Sequence, residues 1–326
     1  MSACFTLALL FLLLWPSFSG AQELVVYSGR KEIAIKPVIE AFEEKTGIRV
    51  ALKIGKTGGF INQLIQERRN PQADIFISTT AGAVISVSDQ DLFRPYVSPT
   101  ASFLPDAYKS PDGLWTGISG RARILMYNTQ LIKPEEVPRS VFELTDPKYR
   151  GLLAIASTRE RTTLGWLSAL VDFLGEAEAQ AYIQKLQANG LHILPDNTDV
   201  RRGVGNGEFA LGLTNSPNFH LTLREGDPVG VVFPDQGPGQ MGALINPNTV
   251  SIVKGANNLD EAKRFVDFIL SPEVAGILVQ NAFEIPLHPD VTPVGVQGLG
   301  DFGPAAVTQS RLGSLAERTL EIFPDF

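Results

Sequence analysis

Between Glu23 and Ile77 the chain reads ELVVYSGRKEIAIKPVIEAFEEKTGIRVALKIGKTGGFINQLIQERRNPQADIFI. Its first six residues, Glu23 to Ser28, read as a buried strand. Ile35, Val38, Ile39 and Phe42 then recur at helical spacing on one face, and Gly47 closes that helix as a C-terminal cap. Ile48 to Ile54 alternates like a strand, Gly55 to Gly59 is a loop, Phe60 to Arg68 is helical, and Ala73 to Ile77 is again a strand. Strand, helix, strand, helix, strand is the order of a parallel sheet covered by helices, which sets the fold class as α/β.

The same alternation resumes in mid-chain. Strands are expected at Leu152–Ala156, Leu191–Leu194, Phe209–Thr214 and Val229–Phe233, with helices over Thr163–Leu174, Gln180–Ala188 and Val200–Asn206. Val250–Val253 is a strand and Leu259–Leu270 a helix, and a last helix spans about Gln309 to Ile322. The pattern divides into two lobes, 22–117 with 243–326 and 118–242, with a ligand cleft between them. The chain crosses over near Gly117 to Asn128 and returns near Gln236 to Asn248. Closure of the cleft would hinge at Gly117 to Ser119 and Gly242 to Asn248.

Composition narrows the function. Of 326 residues, 44% are hydrophobic and 19% charged, the balance of a folded chain rather than a disordered one. A net charge of −7 argues against a nucleic-acid partner. Residues 1–21 read as a signal peptide: an apolar run from Cys4 to Trp15, then small residues at Ser19 and Ala21 before a cleavage point. No Lys or Arg precedes that run, so a retained anchor is the alternative. Cys4 is the only cysteine. A mature chain without it has no disulfide, thiolate ligand or cysteine nucleophile.

Enzyme signatures fail one by one. Gly55-Lys56-Thr57 ends like a P-loop, but Val50 stands where the first glycine belongs. Gly203, Gly205 and Gly207 miss the dinucleotide spacing by one residue. His192, His220 and His288 are too far apart for a zinc motif, and no Gly-x-Ser-x-Gly elbow occurs. His192 is read as structural within an apolar strand, and His220 as the one histidine beside a candidate cleft loop. The positive signal is a set of polar loops at strand ends, where clefts of such sheets form: Tyr27–Lys31, Gly55–Gly59, Ser78–Thr80, Ser119–Arg121, Ser157–Thr163 and Thr214–Ser216. Hydroxyls, arginines and free backbone N–H groups are chemistry for anionic oxygens.

The motifs Val26-Tyr-Ser-Gly29, Gly55-Lys-Thr57, Ala73-Asp-Ile-Phe76, Trp115 to Arg123 with Tyr127-Asn128, Gly207 to Leu213, Ala262 to Glu273 and Ile285-Pro-Leu287 resemble those of the periplasmic ferric-iron-binding family of solute-binding proteins. The resemblance spans Glu23 to about Val291. It implies a two-lobed type 2 periplasmic-binding-protein fold, an ABC permease and its ATPase as partners, and a periplasmic location. It also implies a ferric site built on two adjacent tyrosines, a His and a Glu. Here Pro217-Asn218 stand at the tyrosine positions, Gly58 or Gly59 at the Glu position, and Arg30-Lys31 at the His position. The family's anion loop has counterparts in Thr158, Arg161, Thr162, Thr163 and Asn215.

The expectation is therefore a monomeric importer subunit without catalytic residues, cofactor or protein metal ligands. It would hold an organic anion, a zwitterion, phosphate or phosphonate. Ser28, Arg30, Lys31, Thr57, Thr79, Ser119, Arg121, Thr158, Arg161, Thr162, Thr163 and Asn215 are the candidate ligand residues. Arg30 from one lobe, and Arg161 with Thr162 and Thr163 from the other, are expected to take the charge. The other readings are iron carried as a chelate, an enzyme on the same fold, and a receptor-linked sensor.

Overall fold

The computed structural model describes residues 23–326. The expected signal segment, its cleavage after Ala21, and Cys4 lie outside the described residues. The first unit is β1 (Leu24–Ser28), α1 (Glu32–Thr46), β2 (Val50–Ile54), α2 (Thr57–Glu67), β3 (Ile75–Ser78), the single-turn α3 (Ala81–Ile85) and the two-residue β4 (Phe93–Arg94). The long β5 (Thr116–Asn128) leads to β6 (Leu153–Ala156), α4 (Arg161–Leu174), α5 (Glu176–Ala188), β7 (His192–Leu194), α6 (Asn197–Gly205), β8 (Leu211–Asn215), α7 (Ser216–Glu225) and β9 (Val229–Val232). The chain returns through β10 (Ile245–Val253) to α8 (Leu259–Ile269), α9 (Pro272–Ala282) and α10 (Gln309–Ile322).

Pairing runs β2-β1-β3-β10-β5-β8-β6-β7, with β4 beside β10 and β9 beside β5. The parallel trio β2-β1-β3 belongs to one lobe and the parallel trio β8-β6-β7 to the other. Between them, β5 and β10 form an antiparallel ribbon. Thr116 to Ala122 of β5 pairs with β10, and Arg123 to Tyr127 pairs with β8. The register slips at Asn248/Thr249, a bulge inside the stretch expected to hinge. Ser119 lies opposite Asn248, Arg121 opposite Asn246, and Arg123 opposite Asn215.

Helix α1 forms as expected. Ala34, Ile35, Val38, Ile39 and Phe42 are buried, Glu32 sits in the first turn, and Gly47 ends the helix at φ 70°. Helices α7 and α9 escape the periodicity reading because each begins with a proline, Pro217 or Pro272. In a first turn the missing N–H breaks no bond and the fixed φ suits the helix. His192 lies in a strand as expected, at the start of β7 on the sheet edge, where it is exposed with its ring against Phe209 and Nε2 3.2 Å from the Gly151 carbonyl oxygen.

The tail also departs from the expected division, which placed 243–326 wholly in the first lobe. Helix α10 has its expected bounds but is bound to the second lobe. Arg311 pairs with Asp172, Arg318 with Glu176, and Thr319 shares a hydrogen bond with Ser168. Leu312, Phe323 and Phe326 join the apolar cluster of α4 and α5. Burial of those side chains draws the segment there, since exposed ion pairs alone contribute little. Its other face meets the first lobe at Gly313, where a Cβ would stand 2.3 Å from Ile85 Cγ2.

One buried carboxylate ties the first lobe together. Asp74 accepts hydrogen bonds from the backbone N–H of Val25 and of Asn258 and from Asn258 Nδ2, joining β1, β3 and the start of α8. Replacing it leaves buried donors unpaired, each costing about 1–3 kcal/mol. Asp74→Ala is expected to lower the unfolding free energy by about 2–4 kcal/mol in a urea titration; a loss under about 0.5 kcal/mol, the size of an ordinary surface change, would show that these bonds contribute nothing net.

Candidate functional site

Side chains two apart on a strand share a face. Ser119, Arg121 and Arg123 therefore line one face of β5, and the cross-strand partners Asn246 and Asn248 line the same face from β10. These five residues make a polar floor across the middle of the ribbon. Every residue of β5 and β10 is buried except Arg121, which is partly exposed.

The first-lobe wall rises from the ends of β1 and β3 and the start of α2. Arg30 is buried and donates from its guanidinium to Glu284 Oε1. Its own N–H donates to Ser28 Oγ at 3.1 Å. Thr57 and Thr79 hydroxyls lie 3.0 Å apart, and Arg121 donates to the Thr79 carbonyl oxygen. Gly29 permits this approach, because a Cβ there would fall 2.2 Å from Thr57 Oγ1.

The second-lobe wall is the start of α4 with α6 and the end of β8. Arg123 donates to Asn197 Oδ1 and to Thr163 Oγ1, both at 3.2 Å. Asn197 Nδ2 donates to Glu160 Oε2 at 3.0 Å and to Thr162 Oγ1 at 3.2 Å, and Asn215 Nδ2 reaches the same Thr162 oxygen at 3.3 Å. No side chain caps α4, so its first-turn N–H groups and dipole face this wall.

Charge is unbalanced here. Arg30 has Glu284 as its counter-ion. Among the described residues, neither Arg121 nor Arg123 forms an ion pair with a carboxylate. Burial, and then the like charge of Arg30, push the Arg121 guanidinium down to about 10. Burial pushes that of Arg123 down to about 9, with Glu160 pulling the other way. Both remain cationic at neutral pH. Their Nε atoms are buried without partners, as are Asn215 Oδ1, Asn246 Nδ2 and Asn248 Oδ1. Native interiors seldom leave such groups unpaired, and their clustering here makes this the candidate ligand site.

Nine of the twelve expected residues converge on this cleft: Ser28, Arg30, Thr57, Thr79, Ser119, Arg121, Thr162, Thr163 and Asn215. Lys31 does not, being exposed on the outer face of the α1 start. Thr158 is committed elsewhere: its N–H and hydroxyl both donate to the Phe326 carbonyl oxygen, at 3.0 and 2.7 Å. Arg161 is exposed; with Thr80, Gly82 and Asn246 it lines a small cavity of ≈ 20 Å³ between α3, α4 and α10. A space of that size holds about one water.

Arg123, Asn197, Asn246, Asn248 and Glu284 were not anticipated. For the first four the signal was present as polar residues at two-residue spacing, or at the start of a helix, inside apolar strand contexts. Glu284 carries no such pattern and is recruited by its place after α9. His220 sits away from the floor, between Phe219 and Phe283 with Nε2 3.2 Å from Gln297 Oε1. Burial lowers its pKa and keeps it neutral.

A bare ferric ion does not fit these residues. Among the described residues no three His, Asp or Glu side chains converge. Tyr27 turns to Glu67 and Gln63 beside α2, and Tyr127 packs on Gly230, so neither phenol reaches the floor.

Comparison with known proteins extends this geometry. Residues 70–295 match the family described as bacterial extracellular solute-binding protein. The chain is 30% identical over 305 residues to iron uptake protein A1 of Synechocystis sp., covering 90% of this chain and 83% of that one. It is 28% identical over 257 residues to a putative 2-aminoethylphosphonate-binding periplasmic protein of Salmonella typhimurium, covering 78% and 74%. Iron-bound HitA from Pseudomonas aeruginosa superposes with a TM-score of 0.85 at 25% identity, over 93% of this chain and 98% of that one.

The buried Arg123 charge makes a separable prediction. A base whose folded pKa is depressed takes up protons more readily when unfolded, so its burial is a stability cost at every pH below about 9. Arg123→Met removes that cost while filling the volume. The variant's unliganded melting temperature is expected to equal or exceed the parent's, while the ligand-induced rise shrinks or disappears. A drop in the unliganded melting temperature of more than about 3 °C, roughly 2 kcal/mol for a chain this long, would mean that Arg123 is a structural keystone.

Proposed function

The chain belongs to the bacterial extracellular solute-binding protein family, and from that premise we propose that it is the periplasmic ligand-carrying subunit of an ABC importer whose cargo is a small anion. The observation that carries this reading is the pair of guanidiniums on the cleft floor, Arg121 and Arg123, crowded by protein and without carboxylate partners. Burying a charge without a partner is unfavourable by several kcal/mol, and an anionic ligand relieves it. Lobes that part and close around such a ligand bring the α4 N-terminus and Arg30 to bear on the same negative charge. The Salmonella relative named for a phosphonate is in keeping with this chemistry.

A second reading draws on the relatives named for iron. Iron carried as a chelate is itself an anion, and its own oxygens would replace the ligands that Pro217 and Asn218 do not supply. The cationic floor serves either cargo.

Native mass spectrometry of protein purified without refolding, followed by calorimetry with oxyanions, organic phosphates, phosphonates and ferric citrate, separates the two. Arg121→Met is expected to weaken the bound anion by about 2–5 kcal/mol, the magnitude for loss of a buried charge partner. If Arg121→Met and Arg30→Met both bind within about threefold of the parent, the anion reading is wrong.

Ferric ion or ferric citrate should produce no visible phenolate-to-iron band, because Pro217 and Asn218 stand where the phenolate pair is expected and neither Tyr27 nor Tyr127 turns to the floor. A band that disappears in Tyr27→Phe or Tyr127→Phe would instead show phenolate ligation after rearrangement.

A further inference from the structure

The floor is graded along its length. Three cross-strand pairs follow one another: Ser119 with Asn248, Arg121 with Asn246, and Arg123 with Asn215. Successive pairs stand two residues apart on β5, about 7 Å. The second pair offers only unpartnered donors, Arg121 Nε and Asn246 Nδ2, and the third offers Arg123 Nε beside an unpartnered acceptor, Asn215 Oδ1. The first pair offers an unpartnered acceptor, Asn248 Oδ1.

The direction of that acceptor is fixed by proton logic. Glu284, ion-paired with Arg30, is a carboxylate and only accepts. The Ser119 hydroxyl lies against Glu284 Oε2 and must give it its single proton. Ser119 Oγ can then only accept from Asn248, whose Nδ2 is 2.8 Å away. The amide is thereby locked, and Oδ1 is left without a donor on a residue of 0% exposure. A buried acceptor left empty is a net cost to the fold, which a donor on the ligand would relieve.

We infer that the ligand is an organic anion whose carbon skeleton also carries a hydrogen-bond donor, a hydroxyl or an ammonium, placed about 7 Å from the anionic group along the ribbon. The anion lies over Arg121 and Arg123, and the donor reaches Asn248 Oδ1. A bare oxyanion has nothing to give this atom. The inference rests on the anion-carrier reading and narrows it, with Asn248 as the specificity-determining residue and Ser119 and Glu284 as its positioning residues.

Matched probes test it. Calorimetry on the full chain, dialysed free of carried-over ligand, uses inorganic phosphate and two pairs: glycerol 3-phosphate against propyl phosphate, and 3-aminopropylphosphonate against propylphosphonate. In at least one pair the donor-bearing member is expected to bind about tenfold tighter or more, with inorganic phosphate no tighter than the propyl compounds. In Asn248→Val that preference should fall within about threefold while the propyl compounds keep their affinity. Ser119→Ala, which frees the amide to rotate, should erode the preference likewise and serves if the first variant does not purify folded. Equal binding within both pairs, or a preference that survives in the folded variants, overturns the inference and leaves the anion reading standing. Failure of all five probes to bind the parent chain overturns both.

Discussion

Strands β5 and β10 are hydrogen-bonded to each other and to the sheets on either side, and they are buried along their length save at Arg121. A ribbon in that position cannot be solvated, so any polar side chain on its cleft face must find a partner within the protein or from a ligand. The wall residues are arranged around that demand. Thr79 offers its carbonyl oxygen to Arg121, Thr163 and Asn197 take Arg123, and Glu284 with Arg30 closes the end nearest Ser119. What the walls leave undone, two guanidinium Nε atoms and three amide atoms, defines the cargo.

A site for bare ferric ion needs anionic oxygens from the protein to neutralise the metal. Here the protein side of the cleft is cationic, and on the proposed reading the cargo supplies the neutralising charge. The fold is common to both solutions because two lobes on a shared ribbon can close on either sign of charge. The selection lies in a few side chains at strand ends and helix starts.

The fold could be read from the chain because its layers follow short-range rules. The apolar spacing of Ile35, Val38, Ile39 and Phe42 and the cap at Gly47 specify α1 without knowledge of what it packs against. The last helix was legible down to its bounds, Gln309 to Ile322. Its docking was not, because the segment buries Leu312, Phe323 and Phe326 against the α4–α5 cluster, far away in sequence. The site divides in the same way. Hydroxyls and arginines in loops announced themselves, and most of them converge. Glu284 lies 254 residues from Arg30, and no local pattern predicts that meeting. Thr158 shows the converse, a plausible ligand residue taken up by Phe326.

Because the floor is a paired ribbon and not a loop, its chemistry is bound to parity. A single residue inserted or lost between Thr116 and Ser119, with no further bulge like that at Asn248/Thr249 to absorb it, would turn Ser119, Arg121 and Arg123 to the opposite face together and present their neighbours to the cleft. Length changes, the ordinary route by which loops acquire new specificities, are therefore costly in this part of the molecule. Divergence toward a new cargo proceeds more simply by exchange of side chains in place, one rung at a time, with the backbone count between the lobes held constant.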